Sequence, residues 1–302
     1  MCIRDRPNVV ADIAPVHSLI SMVMKGIGEP QLLIPQNASP HHYAMRPSEA
    51  RALQEANLVV YLGHDMTPWL EPLFETVAAS AEPLDLSQVD GVLQLSYREG
   101  PVFGEQEGHD DHDDHEGHDH EEEGHDEELA FDPHSWLDPL AFKVQADVVL
   151  QHLIEVFPEG EDTFTANAEE FKSALDALHV GFDAALNDGV CTDKTVVANH
   201  NAYSYMAYRY DIQFLTVHGL DPEGEPSAED VAEVVEHINE EGITVLFVEE
   251  YTDQESVQSI VDETGVSIQI LYTMEMAPTD DEDDYMSMMQ KNLDNMLLGM
   301  GC

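Results

Sequence analysis

Along the chain, short apolar runs alternate with longer stretches in which apolar positions recur every three or four residues. Asn8 to Ile13 is the first run, and after Pro15 a helical face of Val16, Leu19, Ile20 and Val23 stops near Gly26 and Gly28. Gln31 to Pro35 and Leu58 to Leu62 read as further strands, Arg46 to Ala56 as a helix opened by Pro47, and Trp69 to Val77 as another helix. A helix follows Pro139 as far as Phe157. After Gly160 a longer one carries Phe164, Ala168, Phe171, Leu175, Leu178, Phe182 and Ala185 on one face until Gly189. The second half then repeats the grammar of the first. Strands at Thr195 to Ala198, Gln213 to Val217, Thr244 to Val248 and Val266 to Leu271 are separated by helices at Ala202 to Arg209, Ser227 to Glu241 and Asp253 to Thr264. A last helix, Asp280 to Leu298, presents Tyr285, Met288, Met289, Leu293 and Met296 as a core face.

Strands alternating with helices predict an α/β fold with parallel sheets covered on both faces. The 302 residues exceed what one core usually fills. Two (β/α) lobes joined by one long rigid helix are therefore expected. The boundaries run 7–160 for the N-terminal lobe, 161–188 for the linking helix and 189–302 for the C-terminal lobe.

Composition narrows the partners. Eleven basic residues against 62 acidic ones give a net charge of −51, which argues against nucleic acid and anionic membranes, since both are held by basic patches. Cations are the favoured ligands. No run approaches the roughly 18 apolar residues of a membrane span, so no direct membrane insertion is expected. Between Glu105 and Glu128 lie 14 acidic residues, six histidines and three glycines, with no branched aliphatic side chain. Such a stretch cannot bury a core and reads as a mobile loop inside the first lobe. The remaining −37 is still large, and a saline habitat, where ions screen self-repulsion, fits it.

Cys2, Cys191 and Cys302 include no Cys-x-x-Cys pair, which excludes a zinc finger or a dithiol redox centre. Incidental thiols are the favoured reading, with a Cys191–Cys302 bridge as the alternative in an oxidising compartment. Met1 to Arg6 lacks the apolar core of a signal peptide.

In open parallel sheets, ligands sit beyond the carboxyl ends of strands. His41 and His42 follow the second strand, His200 directly follows Thr195 to Ala198, and Glu275 follows Val266 to Leu271. His134 lies in a rigid turn, Asp132-Pro133-His134-Ser135-Trp136-Leu137-Asp138-Pro139, before a helix. Neutral imidazoles with one carboxylate suit tetrahedral zinc, whereas manganese favours more oxygen.

These segments, taken in order, carry a resemblance. Ala38-Ser39-Pro40-His41-His42-Tyr43-Ala44-Met45-Arg46-Pro47-Ser48, Phe131 to Pro139, Asn199-His200-Asn201-Ala202-Tyr203-Ser204-Tyr205, and His218-Gly219-Leu220 through Glu225-Pro226-Ser227 resemble the zinc-binding solute-receptor proteins of ABC-type metal importers, the cluster A-I or cluster 9 group. The acidic, histidine-rich insertion before the second segment is similar too. The resemblance implies metal held in the cleft between lobes, with His41, His134 and His200 as ligands. It places the fourth ligand near Glu275, where the family more often has an Asp-Pro-Leu context, so water is the alternative there. It also implies a cargo of Zn2+ rather than Mn2+, a periplasmic or otherwise extracytoplasmic location with the signal peptide outside this sequence, a monomer, and an ABC-type membrane permease with its ATPase subunit as partner.

Among the other candidates, His42 is expected beside the site or in solvent, His64 and Asp65 in a polar loop, His218 along the cleft, and His17 as a structural residue on a helix. Arg46 is expected to anchor a carboxylate or a carbonyl. The 105–128 loop, with His109, His112, His115 and His118 at every third residue, defines no single rigid site and reads as a local zinc scavenger. No His-Glu-x-x-His helix supports a zinc hydrolase, although Glu275 or Glu249 could serve as its base, so no enzyme is expected. A manganese receptor of the same fold, or a zinc-buffering adhesin without a permease, is the alternative function.

Overall fold

The computed structural model describes residues 7–35, 38–40, 43–63, 66–92, 94–95, 131–187, 189, 191, 193–217 and 228–302, without the side chains of 228–230. The first half holds β1 (Val9–Ala11), α1 (Ala14–Met24), β2 (Gln31–Leu32), α2 (Pro47–Glu55), β3 (Leu58–Tyr61) and β4 (Glu82–Asp85). Two central helices follow, α3 (Pro139–Val156) and α4 (Glu161–Asn187). The second half holds β5 (Thr195–Ala198), α5 (Ser204–Tyr210), β6 (Gln213–Thr216), α6 (Ala228–Glu241), β7 (Val245–Val248), α7 (Gln258–Thr264), β8 (Ser267–Ile270) and α8 (Tyr285–Met300). Each half builds one four-stranded parallel sheet, ordered β2-β1-β3-β4 and β6-β5-β7-β8. The two orders are the same, so each sheet reverses direction between its first and third strands, where a crevice opens at the carboxyl ends.

Strand residues alternate between two cores because successive side chains leave opposite faces. Val9, Ala11, Leu58 and Val60 face a large central core, whereas Val10, Val59 and Tyr61 face a smaller outer one with Leu33 and Leu53. In the second sheet, Val196, Ala198, Phe214 and Phe247 join the central core, and Val197, Leu215, Leu246 and Val248 pack outward with Val234 and Ile238. Both faces are therefore apolar, as in parallel sheets generally. The central core runs without a break through α3, α4 and α8. Helix α4 is about 40 Å long at 1.5 Å per residue, and its buried stripe from Phe164 to Leu186 follows the predicted spacing. Phe171 packs edge-on to Phe142, Phe182 lies against Tyr210, and Tyr285 of α8 stacks near Phe142 with centroids 4.6 Å apart. Met288, Met289 and Met296 are buried, as the Met-rich face predicts.

Three local readings differ from the sequence expectation. Trp69 to Val77 is not a helix beyond a single 3-10 turn at Glu71–Leu73, since Pro68 and Pro72 remove backbone donors that the helix needs. Beyond it runs the unpredicted β4, a strand at the sheet edge, the place where a residue such as Pro83 is tolerated. The last helix starts at Tyr285 rather than Asp280, because Asp284 accepts from the Ser287 amide at 2.8 Å as its cap, leaving Asp280 to Asp283 in a turn. Ser227, the expected first residue of α6, lies outside the described residues. No helix among the described residues is long and apolar enough to cross a membrane.

Cys191, past α4, is bonded to Cys302, past α8, across 111 residues with Cα atoms 5.4 Å apart. The pairing overturns the reading of these two as incidental thiols; a cross-link over so long a segment restricts the unfolded chain strongly. Replacing both by serine should lower the unfolding free energy by about 2–4 kcal/mol, measured by urea denaturation under non-reducing conditions.

Candidate metal centre

The turn around His134 is built by its own neighbours. Asp132 Oδ1 accepts from the His134 backbone amide at 2.8 Å and from its Nδ1 at 2.8 Å, so the ring presents Nε2 inward. Ser135–Leu137 form a 3-10 turn, and Asp138 caps α3 at the Leu140 amide, 3.0 Å away, with Pro139 at the first helical position. The second half of the chain then clamps this turn from outside. Tyr205 Oη donates to the Asp132 carbonyl at 2.9 Å, Arg209 Nη2 to Asp138 Oδ2 at 2.6 Å and Tyr285 Oη to the Trp136 carbonyl at 2.7 Å, while Trp136 Nε1 donates to the Thr273 carbonyl at 2.7 Å.

His200 leaves the end of β5 in a backbone frame shared with β7. The Asn199 amide donates to the Phe247 carbonyl at 2.8 Å, and Asn199 Oδ1 accepts from the Glu249 amide at 3.1 Å. Glu275 arrives by a sharper path. Asn292 of α8 fixes Tyr272 by two bonds, to its amide at 2.7 Å and its carbonyl at 2.8 Å. Met274 then takes a left-handed backbone, φ +62°, which redirects the chain so that Glu275 points inward. Such a conformation in a residue with a side chain costs about 1–3 kcal/mol, and it performs the turn that the absent Asp-Pro pair was expected to supply.

The result is a buried cluster. His134 and His200 are fully buried and Glu275 is 4% exposed, and one donor atom from each lies within 4.8 Å of the others. Glu275 Oε1 is 2.9 Å from His134 Nε2 and 3.7 Å from His200 Nδ1, and the two rings meet edge to face with centroids 5.2 Å apart. Burial by itself favours neutral rings. The charges and hydrogen bonds of Asp132 and Glu275 outweigh it at His134, which is pushed up to about 10, and Glu249 and Glu275 raise His200 against the opposing influence of His134. The surrounding carboxylates thus shift both rings toward the protonated form. Two imidazoles and a carboxylate converging in an enclosed, anionic pocket form a donor set for a borderline-soft dication.

Of the predicted ligands, the fold unites His134, His200 and Glu275. His41 lies outside the described residues, as do His42, His64, Asp65, His218 and the 105–128 stretch. His17 is structural as expected, with Nε2 3.2 Å from the Pro30 carbonyl. The Arg46 guanidinium lies 5.7 Å from the Tyr43 ring centroid, an aromatic contact beyond its expected role. Sequence reasoning missed the carboxylates behind the rings. Asp132 had a usable signal in its position two residues before a histidine, in a Pro turn; Glu249 closes β7 as His200 closes β5, but the pairing spans 49 residues. In the first sheet, Asp12 holds the corresponding crevice. It accepts from the Ile13 and Leu62 amides at 2.8 and 3.0 Å and from Thr67 Oγ1 at 3.2 Å, and burial pushes its carboxyl up to about 6.

Residues 9–298 match the family model described as ZnuA, zinc-uptake complex component A, periplasmic. The chain is 30% identical over 310 residues to the high-affinity zinc uptake system protein ZnuA of Brucella abortus, covering 97% of this chain and 91% of that protein. It is 29% identical over 289 residues to the zinc-binding lipoprotein AdcA of Streptococcus pneumoniae serotype 4, covering 95% of this chain and 54% of that protein. The chain thus spans about half the length of AdcA. Among solved structures, the Zn(II)-bound ZnuA-like domain of Streptococcus pneumoniae AdcA superposes with a TM-score of 0.76 at 24% identity, over 98% of this chain and 100% of that one. The laminin binding protein Lmb of Streptococcus agalactiae, titled a bifunctional protein with adhesin and metal transporting activity, gives 0.80 at 21%, over 97% and 99%. These likenesses establish the architecture of two parallel-sheet lobes and a long helix. With the family model matching almost the whole length, the chain belongs to the ZnuA family.

Proposed function

We propose that the chain is an extracytoplasmic zinc receptor that captures Zn2+ in the cleft between its halves and delivers it to an ABC-type membrane permease with its ATPase subunit. The observation that carries this reading is the buried convergence of His134, His200 and Glu275 from separate segments, His200 and Glu275 beyond strands of the second sheet and His134 in the turn before α3. His41, by its place in the family motif, is the third imidazole. Three nitrogens and one carboxylate favour zinc over manganese, which prefers oxygen-rich sites. Zinc is the cargo of such a receptor, held and released unchanged. Asp132 and Glu249 both bond histidine rings, which suits a cage for an ion better than a base aimed at a metal-bound water. The lobe boundaries proposed at 160 and 188 bracket α4, which touches helices of both halves.

His200→Ala, and separately Glu275→Gln, should weaken zinc binding by more than the roughly 10–100-fold typical of losing an outer partner, with the fold retained. Competition against a chelator, in chains lacking 105–128, measures it; undiminished tight binding in both variants contradicts the assignment.

Protons compete with the metal for the same ring nitrogens. A raised folded-state value means that the proton on His134 stabilises the fold fully below about 6.5, and that this stabilisation is lost as pH rises toward about 10. The metal-free chain should therefore melt at a lower temperature at pH 8.5 than at pH 6.5, with the end of the Asp12 titration, pushed up to about 6, adding in the same direction. Zinc should raise the melting temperature more at the higher pH, and Asp132→Asn should flatten the decline; scanning calorimetry at the two pH values checks all three.

A further inference from the structure

Glu249 is a buried carboxylate, 6% exposed, that the ligand set above does not use. It follows β7 directly, and both of its oxygens are engaged: Oε1 bonds Nδ1 of His200, and Oε2 accepts from Thr273 Oγ1 at 3.4 Å. Its backbone is tied to the residue before His200 through Asn199 Oδ1, and Asn199 Nδ2 donates to Thr252 Oγ1 at 3.2 Å, so the β5 and β7 exits are buckled together. Across the cluster, Asp132 grips Nδ1 of His134 in the same way. The two imidazoles are thus backed by carboxylates from opposite halves of the chain.

We propose that Glu249 is the positioning residue of the second half-site: Nδ1 of His200 has two carboxylates near it, Glu249 bonded to it and Glu275 Oε1 at 3.7 Å, and by accepting from Nδ1–H Glu249 fixes the tautomer of His200, leaves Nε2 as the metal-binding nitrogen, and remains off the metal itself. The proposal rests on the receptor reading above. A carboxylate in this place does two things. It orients the ring before the ion arrives, and it makes the coordinating nitrogen a stronger donor by drawing on the proton at the other. It also adds negative charge where a dication replaces ring protons; three imidazoles and Glu275 leave a zinc site at +1, which Asp132 and Glu249 together bring to −1. Because Thr273 holds its second oxygen, Glu249 does not expand the coordination sphere, and a low coordination number is what separates zinc from the harder, oxygen-seeking dications.

The test uses the full chain and three measurements. Long-range proton–nitrogen correlation spectra of the zinc-loaded chain report which His200 nitrogen carries the proton; the proposal requires Nδ1–H with Nε2 on zinc, and Nδ1 on zinc overturns it. Chelator competition should show Glu249→Gln, which keeps an acceptor but loses the charge, about tenfold weaker, and Glu249→Ala about a hundredfold weaker; a change under twofold in Glu249→Ala overturns the proposal. Cobalt(II) loaded in place of zinc should give the same four-coordinate visible spectrum in the unsubstituted chain and in Glu249→Gln, whereas a changed coordination number identifies Glu249 as a direct ligand and likewise overturns it. Should Glu249→Ala fail to fold, the isosteric Gln variant and the unsubstituted spectra still decide. Tight zinc binding by the unsubstituted chain with no effect at Glu249 defeats this inference alone, whereas no tight zinc binding at all defeats the receptor reading with it.

Discussion

The site depends on one constraint, that a turn belonging to the first half of the chain is held in place by the second. Pro133, His134 and Trp136 precede α3, yet Tyr205, Arg209, Tyr285 and the Thr273 carbonyl make the bonds that fix the turn. Each such hydrogen bond contributes only about 0.5–1.5 kcal/mol net, so their sum is a modest part of the stability. Their larger effect is geometric. A metal constellation tolerates displacements of about 0.5 Å, and Trp136 and Thr273, near neighbours of His134 and Glu275, tie the two segments together by bonding to one another.

Burial sets the second condition. Imidazoles and carboxylates taken from water must be paired or neutralised, and here each fully buried ring has two carboxylates beside it: Asp132 at Nδ1 and Glu275 at Nε2 of His134, and Glu249 and Glu275 about Nδ1 of His200. Carboxylates that favour protonated rings also favour a dication in the protons' place, which leaves no uncompensated charge. The left-handed Met274 shows the cost of this arrangement in the backbone. That strain is borne two residues after Tyr272, which Asn292 of α8 holds by two hydrogen bonds.

Much of this was readable in the residues. Alternating strands and helices gave the parallel-sheet class; the rule that ligands gather at strand ends singled out His200 and Glu275 together with His41, which lies outside the described residues, and the rigid Pro turn before a helix singled out His134. What escaped has identifiable causes. The misread helix at Trp69 to Val77 followed apolar spacing and discounted Pro72; β4 was hidden by Pro83, which only an edge position permits. Glu249 and the Cys191–Cys302 bond depend on contacts 49 and 111 residues apart, which no local period encodes. The Met274 turn depends on a backbone angle rather than on a residue type that announces it.

The central claim is that one dication is held jointly by His134, His200 and Glu275. A crystal structure of the zinc-loaded chain, with data collected on both sides of the zinc absorption edge, tests it most directly. The account predicts an anomalous peak within about 2.0–2.2 Å of a nitrogen of each histidine and an oxygen of Glu275. Zinc bound tightly elsewhere on the chain, with these three side chains still bonded to one another and bare of metal, would contradict it.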